Sequence, residues 1–131
     1  MRILFGLFIL ALSVTGFAAV SQAKDVKAVM FYADWCTTCK VLDKTLNETR
    51  SKNETVDGAD YILFDMTDGD TREQAKATAD KENLGKLLKT YGAATGFLVL
   101  FDVDSQKVLH VIRGGAKERE IVQAFEHALQ G

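Results

Sequence analysis

The sequence predicts an α/β domain, a βα-βα-ββα chain that builds one mixed four-stranded sheet. Three observations carry that expectation. Short apolar runs of the strand type alternate with stretches whose apolar residues recur at helical spacing. The last third carries two strand-like runs joined by a short turn, the pattern of a hairpin. The chain has 131 residues, which fits one domain together with a segment that is removed or that anchors it. Strands alternating with crossover helices imply a parallel pair, and the hairpin adds an antiparallel pair to the same sheet.

The first stretch lies outside that domain. Ile3–Ala23 carries no charge, Arg2 precedes it, and Ser21-Gln22-Ala23 supplies small residues at a cleavage position. A positive start, an apolar run and a small-x-small site read as a signal peptide over 1–23, leaving a domain at 24–131. Uncleaved, the same segment is long enough to anchor the domain in a bilayer. In either case the domain is expected to leave the cytoplasm. Apolar residues make up 47% of the chain and charged residues 26%, an ordinary globular balance. Sixteen basic against 18 acidic residues give a net charge of −2, which excludes a nucleic-acid binder held by charge alone. Two cysteines exclude a multi-bridge scaffold, and proline is absent.

From Lys27 to Tyr32 the sequence KAVMFY reads as a buried strand without a polar face. Val41, Leu42 and Leu46 then recur at helical spacing and mark a helix that fades near Arg50. Ser51–Ala59 is polar and reads as a surface loop. Tyr61–Met66 reads as a second buried strand, and Asp70 with Glu73 as the capping box of the next helix. Ala75, Ala77 and Ala79 continue that helix; Asn83 and Gly85 break it before a further turn through Leu87, Leu88 and Tyr91. Phe97–Phe101 is uniformly apolar, a strand buried on both faces. Lys107–Arg113 returns beside it after a turn at Asp102–Gln106. Alternation points Val108, His110 and Ile112 one way, with Leu109 and Val111 the other. Past Gly114-Gly115, a last helix shows the apolar stripe Ile121, Val122, Phe125 and Leu129.

Chemistry concentrates in Phe31-Tyr32-Ala33-Asp34-Trp35-Cys36-Thr37-Thr38-Cys39-Lys40. A strand delivers two cysteines, three positions apart, to the first turn of a helix, so both sulfurs share one face. Unpaired backbone N–H groups of the first turn and the charge of Lys40 favour a thiolate at Cys36. Cys36 is expected to be the exposed nucleophile and Cys39, a turn deeper, the shielded resolving thiol. Other readings stay open here. A permanent disulfide would close too short a loop to stabilise much. A zinc site would need two further ligands, and only His110 and His127 remain as histidines. Trp35, next to Cys36, reads as part of a docking surface rather than a core aromatic. Asp65–Asp70 lacks the spacing of a calcium loop and reads as a solvated turn with a helix cap.

The segment FYADWCTTCK resembles the active-site segment of the thioredoxin-like proteins, in particular exported ones such as the C-terminal domain of the bacterial transmembrane disulfide reductase. Tyr91-Gly92 ahead of Phe97–Phe101, and Gly115-Ala116 ahead of the last helix, match the same family. The resemblance implies a thioredoxin fold, trimmed at its N-terminus, and thiol–disulfide exchange through a mixed disulfide on Cys36, resolved by Cys39. It implies protein disulfide or dithiol substrates, a redox partner protein, no cofactor, and a monomer working in the bacterial periplasm. It implies no nucleic acid, and a membrane only through an uncleaved N-terminal segment. Two positions depart from the family. Met30 stands where relatives carry a buried acid six residues before the first cysteine. Thr95-Gly96 stands where relatives place a cis-proline facing the disulfide, and there the family pattern implies easier access of metal ions to Cys36 and Cys39. A metal-binding or metal-delivery module using those two cysteines is therefore the alternative function. Gly96→Pro is expected to slow metal capture if the new bond goes cis, and to lower stability if Gly96 holds an incompatible φ.

Overall fold

A computed structural model describes residues 24–130, so the signal or anchor expected over 1–23 lies outside the described residues. Four strands form one sheet: β1 (Val26–Tyr32), β2 (Asp60–Asp65), β3 (Phe97–Asp102) and β4 (Lys107–Arg113). Their order is β2-β1-β3-β4, with β1 parallel to β2 and antiparallel to β3, and β4 antiparallel to β3. This is the mixed α/β sheet that the element order predicts. Among the described residues five helices pack on it: α1 (Thr37–Arg50), α2 (Glu54–Asp57), α3 (Gly69–Lys81), α4 (Gly85–Tyr91) and α5 (Glu118–Gln130).

The central strands explain the layering. Along β1, Ala28 and Met30 face one side and Val29 and Phe31 the other; along β3, Leu98 and Leu100 oppose Phe97, Val99 and Phe101. Both strands are therefore apolar throughout, and each face needs its own cover. On one side Leu42 and Leu46 of α1, Val56 of α2 and Ile121 and Phe125 of α5 pack on the sheet. On the other, Ala75 and Ala79 of α3 and Leu84 and Leu87 close over Phe31, Phe64 and Phe101. Each fully buried Phe or Leu side chain contributes roughly 1.5–3 kcal/mol by leaving water.

Several local expectations are corrected. The stretch read as loop, Ser51–Ala59, contains α2, capped by the Asn53 side chain accepting from the Val56 N–H at 3.0 Å. Val56 is wholly buried, and the Tyr61 hydroxyl donates to its carbonyl at 2.6 Å. Burial pushes the Tyr61 phenol up to about 12, although Arg50, stacked 4.4 Å over the ring, pulls the other way. Strand β2 is an edge strand rather than a buried one, with Leu63 57% exposed. The box that opens α3 is Asp68 with Thr71, not Asp70 with Glu73. In β4, a bulge opposite Leu100/Phe101 breaks the alternation, so Leu109 packs on the same core as Ile112. The buried stripe of α5 is Ile121, Ala124, Phe125 and Ala128; Leu129 is exposed.

At the N-terminal end of β1, Lys27 sits among Asp60, Asp25 and Glu82. Its bond to Asp60 outweighs burial and raises its pKa. The C-terminal end of the same strand leads into the cysteines. The Lys27 ion pairs and the cysteines thus lie at opposite ends of one central strand.

Candidate active site

Beyond Tyr32 the chain turns before α1 can start. Cys36 is the N-cap residue, with φ −90° and ψ 103°, and its N–H donates to the Ala33 carbonyl at 3.0 Å. Its sulfur accepts the Cys39 N–H at 3.2 Å, the contact a cap makes with an otherwise unpaired first-turn donor. A disulfide joins Cys36 to Cys39, whose Cα atoms are 5.2 Å apart. Cys39 is completely buried, and its sulfur lies 3.6 Å from the Phe31 carbonyl, an acceptor for the thiol proton once the bond is reduced.

Cys36 keeps 8% of its surface, so the expectation of an exposed Cys36 is corrected: both cysteines are buried, Cys36 less completely. The cover comes from the loop before β3. A carbon added at Gly96 would lie 3.7 Å from the Cys36 sulfur and 3.3 Å from the Thr38 methyl. Gly96 has φ +97°, its N–H donates to the Phe31 carbonyl at 3.0 Å, and its own carbonyl accepts from Gly114 at 3.1 Å. Gly114 approaches more closely still: a carbon there would fall 1.9 Å from the Thr38 methyl. Thr38 is thus seated between two glycine backbones, one from each strand-end loop. No cis peptide bond occurs among the described residues.

Trp35 is 65% exposed and is not a core aromatic. Its indole N–H donates to the Thr67 carbonyl at 3.1 Å, while the Thr67 hydroxyl accepts from the Asp34 N–H at 3.0 Å. Met66, one residue earlier, donates its N–H to the Tyr32 carbonyl at 2.7 Å. The loop after β2 therefore holds the turn that presents Cys36. Burial and the neighbouring Asp34 raise the Tyr32 phenol, which stays protonated at neutral pH. Lys40 is exposed; its backbone N–H donates to the Cys36 carbonyl at 3.3 Å, and its side chain makes no ion pair among the described residues. Thr95 is half-buried beside Gly96. Met30 is buried in the same apolar cluster as both cysteines.

Sequence reasoning brings Trp35, Cys36, Cys39, Lys40, Thr95 and Gly96 to this end of the sheet. It does not bring Thr67, Thr38 or Gly114 into the site. Thr38 stands inside the CxxC segment, Thr67 inside the Asp65–Asp70 turn and Gly114 in a Gly-Gly pair after a strand, but none of them is singled out for the site. His110 and His127 line one depression between β4 and α5, without a cysteine. Among the described residues, no group of three or more His, Cys, Asp or Glu side chains converges as a metal site, and no helix is long and apolar enough to cross a membrane.

A disulfide closed across the first turn of a helix, with one sulfur at the cap and the other sealed beneath it, can alternate between dithiol and disulfide with little movement of the backbone. No curated protein matches the chain. A family model described as a thioredoxin-like domain matches residues 16–129. That span takes in every strand of the sheet and both cysteines, and the chain accordingly belongs to the thioredoxin-like family.

Proposed function

We propose that the protein is an exported thiol–disulfide oxidoreductase in which Cys36 is the nucleophile and Cys39 the resolving thiol. The observation that carries this reading is the asymmetry of the pair: Cys36 retains surface beside the exposed Trp35, while Cys39 retains none. In the reduced domain, the Cys36 thiolate attacks one sulfur of a protein disulfide. A Cys36–substrate bond forms and the substrate bond breaks, releasing a substrate thiolate. Cys39 then gives up its proton and attacks the Cys36 sulfur, closing the internal disulfide and expelling the second substrate thiolate. Two electrons pass to the substrate, and a redox partner protein returns them. Run backwards, the same steps oxidise a dithiol, and the reduction potential of the pair against its compartment sets the direction.

The Cys39 N–H at the Cys36 sulfur supports attack by Cys36, because a helix-start donor favours the thiolate. Met30 supplies no carboxylate beneath Cys39, so the Phe31 carbonyl is the polar group beside the departing proton. Export to the periplasm rests on the 1–23 segment, and mass spectrometry of the secreted protein should begin at Lys24.

The test is trapping. Cys39→Ser, mixed with a disulfide-bearing protein, should accumulate a mixed disulfide on Cys36, and Cys36→Ser should accumulate none. Equal trapping by both variants would erase the assigned roles, and trapping by Cys36→Ser alone would reverse them. Absence of trapping, together with stoichiometric capture of Cu(I) or Zn(II) by the reduced protein, would make the pair a metal site instead.

A further inference from the structure

On the face of the sheet opposite α1 and α5, a groove of about 420 Å³ opens between α3 and α4. Its floor is apolar, with Met66, Ala79 and Leu88. Its walls carry three cations, Arg72, Lys76 and Lys89, against one carboxylate, Asp80. With Glu73, which pairs with Lys76, counted as well, the groove still carries one more cation than carboxylates, in a chain that is net acidic. Lys76 is engaged with Glu73 at 2.6 Å and the Arg72 Nε–H donates to the Asp68 carbonyl at 2.9 Å, whereas Lys89 has no ion pair among the described residues.

One end of the groove leads to the disulfide; the other closes where Gly85 meets Asp80. Met66 on its floor adjoins Thr67, whose carbonyl holds the Trp35 indole. Ala93, at the same end, lies on the short loop that reaches Gly96 beside the Cys36 sulfur. A polypeptide laid over Trp35 with its sulfur at Cys36 can run on past Thr67 and Met66 into the groove as an extended segment.

We propose that the α3–α4 groove is a docking surface for the protein's disulfide-bearing protein substrate, receiving an apolar side chain flanked by acidic residues. The proposal rests on the redox reading above. The floor would bury the apolar group, and the cations would orient the segment and reject a basic one. Continuity with Trp35 and Cys36 selects a protein segment over a free amphiphile, because only a tethered segment gains from the two contacts together.

Two synthetic peptides test this, each holding a disulfide and a flexible Gly-Ser linker, one ending in Asp-Leu-Asp and the other in Lys-Leu-Lys. Rates of reduction by the reduced domain are divided by each protein's rate with hydroxyethyl disulfide. The acidic peptide should react about fivefold faster, a preference that disappears at high salt and in the Arg72→Glu/Lys89→Glu variant. Equal rates for the two peptides, or a preference that survives the double substitution, would overturn the docking surface. Equal peptide rates with decanoate protecting the α3–α4 amides from exchange would give the groove to a small amphiphile and overturn it likewise. Failure to reduce hydroxyethyl disulfide at all would instead overturn the redox reading, and the docking surface with it.

Discussion

Gly96 combines three roles that set its replacement apart from those of its neighbours. Its φ of +97° lies where side chains are strained, its N–H is bonded to Phe31, and its backbone passes against Thr38 and the Cys36 sulfur. Proline holds φ near −65° and has no N–H to donate. Of the two outcomes expected for Gly96→Pro from sequence, the structure selects loss of stability, by about 3 kcal/mol. The variant should unfold at a lower urea midpoint than wild type. A midpoint at or above wild type would mean that the loop accepts a proline backbone. The same geometry explains how the chain covers its sulfurs without a proline: glycine lets the backbone itself come close, and the Thr38 methyl fills the space between Gly96 and Gly114.

At the scale of elements, α3 shows how a helix start is fixed by groups that titrate. The Asp68 carboxylate accepts the Thr71 N–H at 2.9 Å, and the Thr71 hydroxyl accepts the Asp68 N–H at 3.0 Å. The first bond is the main reason that the Asp68 pKa is lowered from 3.8. A lowered carboxylate stabilises the fold at pH values above its unfolded pKa and loses that effect as pH falls through the folded value. Asp68→Ala should therefore lower the melting temperature at pH 7, with the gap to wild type narrowing once pH drops below 3.8. A gap that stays constant to pH 2 would mean that the charge does not matter. Elements that announce themselves locally were legible in the sequence. The uniformly apolar β1 and β3 and the amphipathic α5 are encoded in their own residues, and so is the strand–CxxC–helix junction. Features settled by distant partners were not. Val56 alone marks α2 within a polar stretch, and the apolar run of β2 reads the same at an edge as at a centre. The bulge in β4 depends on its pairing with β3. In the site, Thr67 holds Trp35 from 32 residues away, a link that no local pattern encodes.

Across the whole molecule, the sheet separates two apolar cores, and the cysteines belong to only one of them. Cys36 and Cys39 cluster with Leu42, Ile121 and Phe125 under α1 and α5, while Leu87 packs with Phe64 and Phe101 beneath α3 and α4. Leu42 lies one turn beyond Cys39 on the same face of α1, and both are essentially unexposed. Truncating either leucine removes a similar volume from a packed interior, so Leu42→Ala and Leu87→Ala should each cost about 2–5 kcal/mol. Their effects on the thiols should differ. A cavity at Leu42 loosens the shell that seals Cys39, whereas a cavity at Leu87 lies across two central strands that are apolar and paired on both sides. In the reduced protein under native conditions, Leu42→Ala should speed alkylation of Cys39 well beyond what its stability loss accounts for. Leu87→Ala should change that rate only through the increased population of unfolded chains. Site-resolved alkylation read by mass spectrometry, set beside equilibrium unfolding of the same two variants, separates the cases. If both variants expose Cys39 in proportion to their stability alone, the sheet does not partition the molecule, and Cys39 is protected by global folding rather than by the core in which it sits.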